Sequence, residues 1–132
     1  DLGPLAETAV AVGKRLSDQG IGVTVLDPVW ALPVNPALVA LADDHDLVIT
    51  IEDNGVVGGY GARLAQELRS AGVNTPLREF GIPQEFLPHG SRNELLAEIG
   101  LTPQAIARST VEAVVRADAS LEQPNAEADA DR

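Results

Sequence analysis

Apolar residues recur at a spacing of three or four in several parts of the chain, and short runs rich in β-branched residues lie between them. The first pattern is typical of one face of a helix, and the second of a buried strand. Together they predict helices at about 6–19, 36–42, 62–70 and from 103 onward, and strands at 22–27, 47–51 and 76–82. Helices that alternate with short strands indicate an α/β fold, here a three-layer α/β/α sandwich with a mostly parallel sheet.

Signals for helix ends support these boundaries. Asn35 followed by a proline is typical of an N-cap with a first-turn proline, and Ser91 with Glu94 has the spacing of a capping box. Thr102, also before a proline, predicts the start of the last helix. Gly20 can take the positive φ that commonly ends a helix, so we expect the first helix to stop there.

The two ends of the chain differ from its middle. The first predicted helix begins almost at once, although α/β domains commonly open with a strand, and Asp1 with Leu2 is too short to form one. We therefore expect that a strand belonging to this fold precedes the chain. Residues 118–132 hold five acidic residues and one arginine, with Leu121 as the only large apolar side chain. We predict a domain over 1–117 and an acidic, disordered tail over 118–132.

Charge and composition exclude several classes of protein. Nine basic against twenty acidic residues give a net charge of −11, so a nucleic-acid backbone or an anionic membrane would repel the chain. One Trp, one Tyr and two Phe are too few for base stacking along a strand. No apolar run approaches the roughly 20 residues of a membrane span. The absence of cysteine fits a reducing compartment, and we expect a cytoplasmic protein with no nucleic-acid or membrane partner.

The strongest candidate site is the passage in which the strand at 47–51 meets a run of acids and glycines. Glycines between a strand and a helix can bring backbone N–H groups close to a phosphate, so Gly58, Gly59 and Gly61 could hold a nucleotide or another anion. However, the dinucleotide fingerprint fails because Leu64 replaces its last glycine, and adjacent acids would repel a pyrophosphate. The favoured interpretation is a structural turn or interface made by Glu52, Asp53, Asn54, Gly55, Gly58 and Gly59.

Acidic and histidine residues do not form a convincing catalytic or metal site. Glu52 and Asp53 are adjacent in a strand and point to opposite faces, so they cannot converge on one substrate atom, and we expect one of them to cap the turn. Residues 43–46, which include His45, are consecutive and cannot all face one ion, which favours a solvated helix end. His89 has no partner at ligand spacing and is interpreted as a loop residue.

Several motifs, taken in order, resemble one known family. They are TVLDPVWALP (24–33), LVITIEDNG (47–55) with GGYG (58–61), FGIPQEF (80–86) and LLAEIGLT (95–102). Together they are similar to the C-terminal domain of the 1-deoxy-D-xylulose 5-phosphate synthase family, which is transketolase C-terminal-domain-like, and the resemblance covers about residues 3–116. Transketolases and the β subunits of 2-oxoacid dehydrogenases share the acid–glycine passage and are alternatives. The last two motifs favour the synthase, and the style of the sequence resembles actinobacterial members.

The resemblance implies one domain of a larger enzyme. The family is a three-domain transferase that depends on thiamine diphosphate and Mg²⁺, condenses pyruvate with D-glyceraldehyde 3-phosphate, releases CO₂ and feeds isoprenoid, thiamine and pyridoxal synthesis. Its cofactor, metal and catalytic residues lie in the two preceding domains of the same polypeptide, while the C-terminal domain packs against them and supports the homodimer. The resemblance therefore implies no catalytic, cofactor-binding or metal residue here and an inactive chain when it is alone.

Two departures from the family pattern limit this inference. Val29 stands where the family usually has arginine, so any ion pair made there is lost. The family domain also opens with a strand just before the segment that matches Gly3, described there as an edge strand antiparallel to the rest, and this chain lacks it. Its absence should bare the edge of the strand at 47–51. The alternative in another class is a stand-alone α/β module that binds a nucleotide or other anion at the glycine turn.

Overall fold

The computed structural model describes residues 5–28, 30, 32–83 and 90–122. In these ranges the chain forms α1 (Ala6–Asp18), α2 (Pro36–Asp43), β1 (Val48–Gly55), α3 (Tyr60–Ser70), β2 (Leu77–Ile82), α4 (Arg92–Glu98) and α5 (Pro103–Glu122). The α/β class predicted from the sequence is confirmed.

β1 and β2 form a parallel sheet between the helices. Val48 lies opposite Leu77 and Ile51 opposite Phe80, and the register shifts between Ile51 and Gly55. The two strands run in the same direction because α3 connects them as a helical crossover. The carboxyl end of β1 is therefore delivered directly to the amino end of α3.

Two apolar clusters pack on opposite faces of this sheet. The first joins α1 and α5 to Ile49 and Ile51 of β1. The second joins α2 and α3 to Val48 of β1 and Leu77 of β2. Since successive strand residues point to opposite faces, these contacts place one pair of helices on each side of the sheet. The predicted three-layer arrangement is confirmed, and Glu52, four residues after Val48, shares the face of β1 that packs on α2 and α3.

The predicted helix-end signals act as expected. The side-chain oxygen of Asn35 accepts the Ala37 N–H at 3.0 Å. Ser91 and Glu94 form a reciprocal capping box at the start of α4. Gly20, which follows the C-cap residue Gln19 of α1, has a φ of +82°, and its N–H donates to the Ser17 carbonyl at 2.9 Å. Each of these contacts satisfies a backbone group that the helix itself cannot pair, which is why the boundaries could be predicted locally.

Residues 22–27 do not form a strand, and that prediction is wrong. The chain from 21 to 28 shows no helix, turn, bend or ladder. Val23, Val25 and Leu26 are 38%, 44% and 52% exposed instead of buried on two faces. A β-branched run becomes a strand only where a neighbour supplies the ladder hydrogen bonds and covers its side chains. Here the segment and β1 line the same cavity, and no strand in the described part of the chain pairs with residues 22–27.

The carboxyl end of the described chain is helical beyond the predicted domain boundary. α5 continues to Glu122, five residues past Ala117, where the sequence placed the start of a disordered tail. The added residues include alanine, leucine and glutamate, which favour helix strongly enough to extend one that is already nucleated. Residues 123–132, like Val29 and His89, lie outside the described residues. None of the helices within the described ranges is long and apolar enough to cross a membrane.

Candidate functional site

The acid–glycine passage divides into a strand and a short turn. Glu52, Asp53, Asn54 and Gly55 all lie in β1, and the turn occupies only residues 56–59. The sequence pattern ended this strand at 51 because acids and glycine are depleted in strands. The structure carries it further because Gly55 pairs with Ile82, and the N–H of Val56 donates to the Ile82 carbonyl at 3.0 Å.

Glu52 is a buried carboxylate that caps α3 from a distance in sequence. Its side chain is part of a residue only 2% exposed, and it accepts hydrogen bonds from the backbone N–H groups of Tyr60 and Gly61, the latter at 3.0 Å. Gly59, the N-cap residue of α3, has no side chain that could cap the helix. The carboxylate charge of Glu52 also lies at the amino end of α3, where the helix dipole is positive. Glu52 therefore satisfies two backbone donors and also complements the dipole.

This contact bears directly on the anion-binding alternative. A phosphate at the start of α3 would need the same N–H groups of Tyr60 and Gly61 that already donate to Glu52. It would also have to approach a carboxylate buried at that point. Gly58, Gly59 and Gly61 therefore surround an anion that the chain supplies itself, and an external phosphate would have to displace it.

Gly59 and Gly61 allow β1 and α3 to approach each other closely. A Cβ on Gly59 would lie 2.7 Å from the carbonyl oxygen of Gly55 and 3.0 Å from the Glu52 carboxylate oxygens. A Cβ on Gly61 would overlap the Thr50 hydroxyl and lie 2.8 Å from Cγ of Glu79. Neither position has room for a side chain, so both glycines serve the packing of helix on strand.

Gly58 serves the turn by its backbone conformation. Its φ is +74°, in the region that side-chain-bearing residues rarely adopt, while a Cβ there would meet open space. Gly58 is thus required for its backbone conformation, whereas Gly59 and Gly61 are required because the strand and the helix approach closely there.

Asp53 points away from Glu52 and belongs to a separate interaction. Its carboxylate lies 2.6 Å from Nη2 of Arg92, the first residue of α4, with side-chain exposures of 19% and 52% respectively. The two adjacent acids therefore do not meet at one point, as the alternation of strand residues predicts. Asp53 attaches α4 to the carboxyl end of β1, and Glu52 attaches α3 to it.

His45 has a structural environment rather than a ligand-binding one. Its Nδ1 lies 2.8 Å from the carbonyl oxygen of Leu41, and its Nε2 lies 3.0 Å from the hydroxyl of Thr24. Because the carbonyl can only accept, Nδ1 carries the proton in that bond. Among the described residues, no group of three or more acidic or histidine side chains is arranged to hold a metal ion.

Two polar residues beside Glu52 could not be recognised from the sequence motifs. The hydroxyls of Thr50 and Tyr60 are buried and have no hydrogen-bond partner in the described part of the chain. A usable signal was present, because Thr50 and Glu52 are two apart in the strand and must share a face. Two polar residues on one face of an otherwise apolar strand indicate that the face meets something other than a uniform hydrophobic core.

Tyr60 gives a pH-dependent prediction. Burial raises the pKa of its phenol above the ordinary value, and the nearby charge of Glu52 raises it further. The folded state then holds the proton more tightly than the unfolded state. Its contribution to stability is complete below about pH 10, where the unfolded phenol begins to ionise, and is lost as the pH rises beyond that.

We expect the stability of Tyr60→Phe to lack the loss at high pH that ionisation of Tyr60 causes. At neutral pH its free energy of unfolding should be unchanged or up to about 1 kcal/mol higher, because an unpaired buried hydroxyl is removed. Tyr60 is the chain's single tyrosine, so an ultraviolet titration of phenolate reports on it alone. A midpoint at or below the ordinary tyrosine value in the folded chain would contradict the assigned environment.

The chain is similar to members of one protein family over most of its length. Residues 2–106 match the family model described as transketolase, C-terminal domain. The chain is 55% identical over 121 residues to a 1-deoxy-D-xylulose-5-phosphate synthase of Frankia casuarinae, covering 92% of this chain and 18% of that protein. It is 49% identical over 128 residues to the synthase 2 of Streptomyces avermitilis and 53% identical over 107 residues to the synthase of Mycobacterium leprae. These matches cover 97% and 81% of this chain but only 20% and 17% of the relatives. The chain therefore spans about a fifth of the length of the relatives it matches.

Proposed function

Because this chain belongs to the transketolase C-terminal domain family, we propose that it is the C-terminal domain of an actinobacterial 1-deoxy-D-xylulose 5-phosphate synthase. The observation that carries this proposal is the 55% identity to one such synthase over 92% of the chain. The parent enzyme condenses pyruvate with D-glyceraldehyde 3-phosphate, releases CO₂ and supplies isoprenoid, thiamine and pyridoxal synthesis. It is a cytoplasmic homodimer.

The role of this domain within the parent is to pack, not to catalyse. The two acids of its acid–glycine passage already bind other parts of the chain, since Glu52 caps α3 and Asp53 forms an ion pair with Arg92 of α4. The passage fixes how the elements meet at the carboxyl end of β1. A firmly joined α/β layer of this kind suits a domain whose task is to support the two preceding domains and the dimer.

Thiamine diphosphate and Mg²⁺ do not fit the glycine turn of this chain. A pyrophosphate needs free N–H donors, but those of Tyr60 and Gly61 already donate to Glu52. The carboxylate would repel the pyrophosphate as well. We place the cofactor and metal in the preceding domains of the same polypeptide, and no step of the reaction is assigned to residues of this chain.

The first test is the size of the native gene product. An antibody raised against this chain should detect, in a lysate of the source cells, a band about five times heavier than 13.8 kDa, because the aligned part is 18% of the Frankia relative. A native band near 13.8 kDa would overturn the proposal and show that the module acts alone.

The second test separates the synthase from its relatives. The purified native enzyme, supplied with thiamine diphosphate and Mg²⁺, should release CO₂ from pyruvate in the presence of D-glyceraldehyde 3-phosphate. It should show no activity when pairs of sugar phosphates are the substrates instead. The isolated chain should give no heat when titrated with thiamine diphosphate and Mg²⁺. Binding of that mixture to the isolated chain at micromolar concentration would show that the cofactor site has been assigned to the wrong domain.

A further inference from the structure

We draw no further inference here: the strongest candidate, the mostly apolar cavity lined by residues 21–28, β1 and Tyr60, restates an established property of the family's fold, because it lies where the family resemblance already places a strand beside β1.

Discussion

Replacing Glu52 with alanine should lower the free energy of unfolding by about 3–5 kcal/mol. The substitution leaves the buried N–H groups of Tyr60 and Gly61 without an acceptor and opens a cavity between β1 and α3. It also removes the negative charge from the positive end of the helix dipole. Since small domains are stable by about 5–15 kcal/mol, much of the fold's stability would be lost. Urea unfolding followed by far-ultraviolet circular dichroism measures the change.

Glu52→Gln is the variant that isolates the hydrogen bonds from the packing. Glutamine has nearly the same shape, but its NH₂ group would face one of the two backbone donors, so we expect a loss of about 1–3 kcal/mol. Asp53→Asn is the matched control on the neighbouring position. It weakens a partly exposed pair with Arg92, and the expected loss is below about 1 kcal/mol. If Glu52→Gln cost no more than Asp53→Asn, Glu52 would not be the cap of α3.

The parts of the fold that could be predicted from the sequence are those fixed by neighbouring residues. The cap at Asn35 and the box between Ser91 and Glu94 use side chains within three residues of the groups they satisfy. The strand at 47–51 is apolar enough to be recognised as a buried strand of an α/β fold. The two caps carry their own partners and form at the predicted positions, whereas the strand also needs β2 beside it.

The parts that could not be predicted depend on partners distant in the chain. Residues 22–27 have the composition of a strand, but a strand also needs a ladder, and β1 lies across a cavity. β1 extends to Gly55 against its composition because Ile82, 27 positions later in the chain, pairs with it. Local propensity is a weak guide wherever tertiary pairing supplies the hydrogen bonds.

The site was predicted in outline but not in its chemistry. The sequence indicated that one of Glu52 and Asp53 caps the turn, and alternation showed that they could not act together. It could not show which acid faces α3, because that depends on the sheet face to which each residue points. Only the packing of the helix on β1 reveals that Glu52 replaces the external anion which Gly58, Gly59 and Gly61 suggested. The same glycines thus fit two opposite functions until the carboxylate is located.

The close approach of α3 to β1 predicts that Gly61→Ala lowers the free energy of unfolding by about 1–3 kcal/mol. Alanine favours helix over glycine by up to about 1 kcal/mol, so an exposed site would show the opposite sign. Here the new Cβ would overlap the hydroxyl of Thr50. It would also lie 2.8 Å from Cγ of Glu79 and 3.2 Å from the nearer Glu52 carboxylate oxygen, and these contacts add to the cost. Thr50 makes the closest of the three contacts and should contribute the largest part, which urea unfolding measures.

This assignment is tested by a second substitution at Thr50. Thr50→Ala removes the overlapping hydroxyl, so in the Gly61→Ala background it should restore about 1 kcal/mol or more relative to its effect alone, a coupling that a double-mutant cycle reports. Thr50→Val keeps the bulk and should restore nothing, although alone it should be nearly neutral because the hydroxyl it replaces is unpaired. Gly55→Ala, whose Cβ would make only an ordinary contact at 3.9 Å, controls for loss of glycine in this passage. If Thr50→Ala and Thr50→Val restored the stability of Gly61→Ala equally, α3 would have to move away from β1 to admit the new methyl group at residue 61. Glu52 would then not hold the two elements at contact distance.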